Sequence, residues 1–185
     1  MATATGDPDK HNMITVISGT NRPGSRTEVV AKVYTDILLE KGAQVRYLSL
    51  KDLPGTFAYD DMYGKRSPEL NDLTRHFITE TEKIVFIIPE YNGSFPGILK
   101  TFIDAVPPVN FRNKKAAIIG ISDGHAGNLR GQEHLTGILH YLRMHVHYAK
   151  PKISGIDKMI DPNGVILNDT LIKKLEEHAE VVLGY

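Results

Sequence analysis

Short apolar runs alternate with amphipathic helical segments from residue 13 to the end of this chain, and few folds satisfy that pattern. Residues 13–18 (Met-Ile-Thr-Val-Ile-Ser) read as a first strand. Residues 25–41 place Val29, Val30, Val33, Ile37 and Leu38 at helical spacing, with Gly42 just beyond as a C-terminal cap. Residues 44–50 alternate as a second strand, and residues 68–80 form a helix with Pro68 in its first turn and Leu70, Leu73, Phe77 and Ile78 inward. Residues 84–88 (Ile-Val-Phe-Ile-Ile) are a third strand, fully apolar and so buried on both faces. A helix at 98–106, a strand at 116–121, a helix at 128–143, a more polar fifth strand at 146–153 and a closing helix at 169–183 complete the series. Five strands and five helices in strict alternation predict a parallel sheet with right-handed crossovers and helices on both faces.

The rest of the chain narrows the function classes. Its 185 residues suit one domain, expected over 13–185, preceded by a small polar tail at 1–12 that is expected to be disordered. That tail lacks the apolar core of a secretory signal, and no run is long enough for a membrane span, so a cytoplasmic protein is expected. Lys plus Arg and Asp plus Glu both number 22, so bulk charge draws the chain neither to nucleic acid nor to an anionic membrane. Cysteine is absent, which excludes disulfides, thiol catalysis and Cys-ligated zinc or iron–sulfur centres. Two connections, 51–67 and 154–168, are long enough to suggest functional or mobile loops.

Three loops at the carboxyl ends of predicted strands carry the chemistry, and ligands of open α/β sheets bind there. The first, Ser18-Gly19-Thr20-Asn21-Arg22-Pro23-Gly24-Ser25-Arg26-Thr27, combines four hydroxyls, two glycines and the charge of Arg22 ahead of a helix start, a ready anion site. Taken alone it is as readily a capped helix after a tight turn. It is neither the dinucleotide fingerprint G-x-G-x-x-G nor a P-loop. The second is Pro89-Glu90-Tyr91-Asn92-Gly93-Ser94-Phe95-Pro96-Gly97-Ile98-Leu99-Lys100. The third is Gly120-Ile121-Ser122-Asp123-Gly124-His125-Ala126-Gly127.

The second loop resembles, without a gap, the P-E-Y-N-x-S-x-P-x-x-L-K signature of the NADPH-dependent FMN reductases. The first resembles that family's G-S-x-R-x-x-S-x-N/T loop and the third its S-x-G-x-x-G loop, and the likeness runs from Ile14 to about Ile153. It departs at Thr20-Asn21, where Ser and an apolar residue are common, and at Ala105, where many members have Trp. The resemblance implies a flavodoxin-like three-layer sandwich with a five-stranded parallel sheet of order 2-1-3-4-5. It implies FMN held at its phosphate by Thr20, Arg22, Ser25 and Thr27, with Ser18 as a further hydroxyl. The flavin ring would lie against Pro89, Glu90, Tyr91, Asn92 and Gly93, and its pyrimidine edge against Ser122, Gly124 and Gly127. The implied activity passes hydride from NADPH or NADH through FMN to a quinone, azo compound, flavin or similar small acceptor, with no catalytic side chain required. Arg22 is alternatively a partner for the 2′-phosphate of NADPH. A homodimer or homotetramer is also implied.

Rival readings come from the same residues. Gly120-Ile121-Ser122-Asp123-Gly124 spells the hydrolase elbow G-x-S-x-G, with Asp157, Asp161 or Asp169 and then His178 downstream. The chain is short for that fold, and His178 falls within a helix. An electron carrier or regulator on the same fold is a second alternative, but such carriers are commonly strongly acidic and this chain is neutral. His134, His140, His145 and His147 lack a carboxylate at ligand spacing, so no metal site is expected. Phe57, Tyr59, Met62 and Tyr63 either cover a bound acceptor or partner, or pin their own loop.

Overall fold

The computed structural model describes residues 12–185. Of the expected tail at 1–12, all but the exposed Asn12 lies outside the described residues. The elements in chain order are β1 (Ile14–Ser18), α1 (Arg26–Glu40), β2 (Val45–Ser49), α2 (Phe57–Asp60), α3 (Pro68–Thr74), β3 (Lys83–Pro89), α4 (Gly97–Ala105), β4 (Lys115–Ser122), α5 (Leu129–Tyr141), β5 (His145–Val146), β6 (Lys152–Ser154) and α6 (Asp169–Gly184). The sheet is parallel throughout and ordered β2-β1-β3-β4-β5, the predicted order, with β6 also paired to β4.

Each residue of β1 and β3 is buried, because helices cover both faces of the sheet. Side chains alternate between the two faces with the period of a strand. Val16, Val85, Ile87, Ile119 and Ile121 pack with Val30, Tyr34 and Leu38 of α1 and Leu171, Leu175 and Ala179 of α6. Ile17, Ile84, Phe86, Ile88 and Ile118 face the other way, against Phe102 of α4 and Leu135 and Leu139 of α5. Each such fully buried large apolar side chain contributes roughly 1.5–3 kcal/mol over its exposed state. The register aligns Ser18 with Ser49 and Ile87, and Ser122 with Ser154. The loops after β1, β3, β4 and β6 therefore open at one edge of the sheet.

Two expectations are corrected, and one left open is decided. The fifth strand is not continuous over 146–153 but breaks into β5 and β6. Pro151 has no N–H to give a ladder, and its carbonyl instead accepts from Gly120 N (3.0 Å) and Gln132 Nε2 (2.8 Å). Within the gap, the His147 ring accepts from Ala149 N at 3.0 Å. The helix read over 68–80 is regular only to Thr74, and residues 75–79 continue as a wider π-type turn. The connection at 51–67 carries its own short helix α2, held by buried Phe57 packed with Leu70 and Ala105, with Met62 against them. Phe57 and Met62 thus pin the loop, while Tyr59 and Tyr63 stand exposed. No described helix is long and apolar enough to cross a membrane.

One buried polar pair ties the first helix to the last. Tyr34 Oη and His178 Nδ1 are 2.9 Å apart, with Tyr34 fully buried and His178 nearly so. Burial pushes the Tyr34 phenol up and holds the His178 imidazole down, to about 4. The unfolded chain protonates this histidine near its ordinary 6.5, so below that pH the unfolded state binds more protons. The contribution is complete above pH 6.5 and is lost as pH falls toward 4. Between pH 7 and pH 5 it amounts to about 2 kcal/mol. Urea denaturation at those two pH values should show that loss, and His178→Gln should remove most of the difference. An equal difference in the variant would reject the assignment.

Candidate active site

The first loop is set by a close approach. Gly19 N donates to Ile87 O at 2.8 Å, and a Cβ at Gly19 would meet Ile88 Cγ2 at 2.9 Å and Ile87 O at 3.1 Å. Only glycine lets β1 leave the sheet so tightly against β3. Thr20 follows, buried, its hydroxyl accepting from Arg22 N (3.2 Å) and pairing with Tyr91 Oη (2.9 Å). Ser25 caps α1 by accepting from Glu28 N at 3.2 Å, which leaves its hydroxyl proton free to donate. Helical geometry leaves the amides of Arg26 and Thr27 in the first turn without a carbonyl partner. Glu28, the acid nearest this anion-favouring end, is answered by Lys51 at 2.8 Å and Lys32 at 2.9 Å. Its carboxyl is held below the usual range, by Lys51 first and Lys32 second. Ser18 Oγ lies buried without a hydrogen-bond partner.

The second loop turns on Asn92-Gly93. Tyr91 N donates to Ser94 O (2.8 Å) and Ser94 N to Tyr91 O (3.1 Å), with positive φ at both central residues (52° and 78°). That is the pattern of a type I′ turn, and Asn-Gly is its preferred pair. The turn is anchored on three sides: Tyr91 on Thr20, Glu90 N on Ile121 O (2.9 Å), and Ser94 Oγ on His134 Nδ1 (2.9 Å).

The third loop is folded around Ser122, whose hydroxyl donates to Gly124 O (2.8 Å) and accepts from Gly127 N (3.0 Å). Ser154 Oγ of β6 donates to His125 O at 2.7 Å. These bonds overturn the hydrolase alternative. Ser122 Oγ is committed to its own loop, and His178, the histidine of that reading, is occupied with Tyr34. The histidines at 134, 140, 145 and 147 do not converge. His134 bonds Ser94, and His147 packs on Tyr148 and Tyr185. Among the described residues no group of three His, Cys, Asp or Glu side chains is placed to hold a metal.

The three loops border one open cleft of about 170 Å³. Arg22, Ser25, Thr27, Pro89, Glu90, Tyr91 and Ser122 line it. The other named positions support it from behind or beside. Ser18 and Thr20 are buried, Asn92 and Gly93 form the turn tip, Gly124 is exposed, and Gly127 packs on Lys152. Arg26, Ile121, Asp123 and Ile156 also line the cleft and were not predicted. Arg26 lies within the first loop, and Ile156 comes from the second long connection; Arg26 could have been found by its charge.

Comparison with known proteins decides the family. The family model for NADPH-dependent FMN reductase matches residues 13–151. The chain belongs to the NADPH-dependent FMN reductase family. An NAD(P)H-dependent FMN reductase of Pseudomonas aeruginosa is 30% identical over 171 residues, 90% of each chain. A 2-hydroxy-1,4-benzoquinone reductase of a Burkholderia species is 33% identical over 131 residues, 68% of this chain and 71% of the relative. Among solved structures, the flavoenzyme NAD(P)H:acceptor oxidoreductase FerB of Paracoccus denitrificans shares the fold, with a TM-score of 0.77 at 22% identity over 94% of this chain and 96% of its own.

The donor set of the cleft suits FMN, the cofactor of the family. Two guanidiniums, two hydroxyls and the open amides of a helix start meet in one cleft with a half-buried tyrosine ring. The third loop depends on Gly127, where φ is +55° and a Cβ would stand 2.6 Å from Lys152 Cβ and 2.9 Å from Ile153 N. At Gly124 a Cβ meets nothing within 4 Å. Gly127→Ala should therefore cost about 2 kcal/mol or more in chemical denaturation, and Gly124→Ala less than about 0.5 kcal/mol. Equal costs would show that the loop is not packed as described.

Proposed function

We propose that residues 13–185 act as one FMN-binding unit. The cleft seats the FMN phosphate at the 18–27 loop and the flavin ring against the Tyr91 turn and the Ser122 loop. By its family the chain is an NAD(P)H-dependent oxidoreductase with FMN as cofactor. Bound FMN supplies the hydride chemistry. The chain supplies binding and orientation. Arg22 and Arg26 offset the phosphate charge, and the Ser25 and Thr27 hydroxyls donate to its oxygens with the first-turn amides of α1. Tyr91, held by Thr20, presents a flat ring in a fixed orientation, while the tight Asn92-Gly93 turn keeps the approach to the flavin uncrowded. No side chain in the cleft is required as acid or base. The observation that carries this reading is the convergence of all three loops on one cleft whose donors suit a phosphate.

The acceptor is a two-electron oxidant of the quinone class, in keeping with the benzoquinone-reducing relative, ahead of azo compounds and free flavin. Purified protein mixed with FMN and desalted should keep a flavin spectrum. NADPH should bleach it without oxygen, and a benzoquinone should restore it. Retained flavin that neither NADPH nor NADH bleaches would assign a carrier or regulator instead, and absence of retained flavin would refute the reading. Arg22→Ala should raise the FMN Kd about tenfold, the worth of one charge-assisted hydrogen bond. An unchanged Kd with a shifted NADPH/NADH preference would move Arg22 to the donor's 2′-phosphate.

We place the enzyme in the cytoplasm as a homodimer or homotetramer, with cell fractionation as the check on location. An apolar groove between α4 and α5, lined by Ile103, Val106, Ile138 and Leu142 with exposed Tyr141 at its lip, supports self-association. Sedimentation should show an oligomer in the wild type and a shift toward monomer in Tyr141→Asp. A monomeric wild type would reject this assembly.

A further inference from the structure

Asn128 stands between the third loop and α5 in a conformation that calls for a reason. Its backbone is left-handed (φ 60°, ψ 35°), it is fully buried, and it does not cap the helix it precedes. Asparagine tolerates this backbone better than most residues, but glycine would serve as well. What the side chain adds is its amide. Nδ2 donates to Ile88 O at 3.0 Å and to Pro89 O at 2.8 Å, the last two carbonyls of β3. Glu90 and Tyr91 follow directly. Room for the amide is kept by Gly131, where any Cβ would overlap Asn128 Oδ1 and press on Phe95 N at 2.8 Å. The amide oxygen itself has no partner. A buried amide that leaves one of its own atoms unsatisfied is retained for the bonds that it does make.

The geometry points to Asn128 as the positioning residue of the Tyr91 turn: its amide fixes the carbonyls at the end of β3 and so sets the direction in which residues 90–94 leave the sheet. The effect on the cofactor rests on the FMN reading above; the effect on the turn does not. Asn128 does not line the cleft, so it acts through the turn. It also couples the loops, because the same residue that follows Gly127 of the third loop holds the root of the second.

The test compares the wild-type chain with Asn128→Gly, which accommodates the left-handed backbone and removes the side chain with its amide. Hydrogen exchange at the Tyr91 and Ser94 amides should quicken about tenfold or more while the α6 amides exchange as before, and the FMN Kd should rise about tenfold. Unchanged exchange at the turn would overturn the proposal. So would a rise shared equally with α6, which would make Asn128 a packing residue of the whole fold. Asn128→Asp is the second variant. Its carboxyl can donate to a carbonyl only when protonated, so its FMN affinity should fall relative to wild type as pH rises. A variant Kd that tracks the wild type at every pH counts against the proposal. A wild type that does not retain FMN would refute the functional reading, while the exchange measurement still decides the role of Asn128.

Discussion

The close packing of Gly19 on the end of β3 is the constraint on which the site depends. It lets β1 turn out of the sheet directly above Ile87 and Ile88, and it delivers Thr20 to within hydrogen-bond distance of Tyr91. The end of β3 then serves as a hub. Ile87 O takes the Gly19 amide, Ile88 and Pro89 O take the Asn128 amide, and Glu90 N reaches Ile121 O. Three loops from three strands are registered to one another through four residues, 87–90. A buried β3 makes this workable, since a strand covered on both faces has little freedom to shift.

The electrostatics of the cleft is local rather than global. The whole chain is neutral, and the cleft is lined by Glu90 and Asp123 as well as by Arg22 and Arg26, so its positive charge is confined to the 18–27 loop. Glu28, which would oppose an anion at the start of α1, is occupied by Lys51 and Lys32. Such an arrangement suits a resident phosphate without giving the protein the field that would draw it to other polyanions.

Much of this was legible in the chain. The alternation of apolar runs with helical segments gave the fold class, and the fully apolar run at 84–88 marked a buried strand, because burial on both faces leaves no polar positions. The helix cap in the 18–27 loop was readable because it is local, decided by residues within four of each other. What escaped was non-local or weakly patterned. The break at Pro151 had a signal in the proline itself, but Val146, Tyr148 and Ile153 on either side read as one strand. The π-type turn at 75–79 follows from packing rather than propensity. Arg26 drew no separate notice among the hydroxyls around it.

The amino-acid sequence by itself determined the layered α/β architecture, the order of its strands by resemblance, and the three loops that carry the site, because periodicity, glycine and capping act over a few residues. Only the tertiary structure decided which of those residues face a common cleft and which stand behind it. Ser122 reads as a nucleophile until its hydroxyl is seen bonded within its own loop, and Asn128 reads as the first residue of a helix until its amide is seen against β3. Those assignments depend on residues tens of positions apart meeting at one point, which local propensity does not encode.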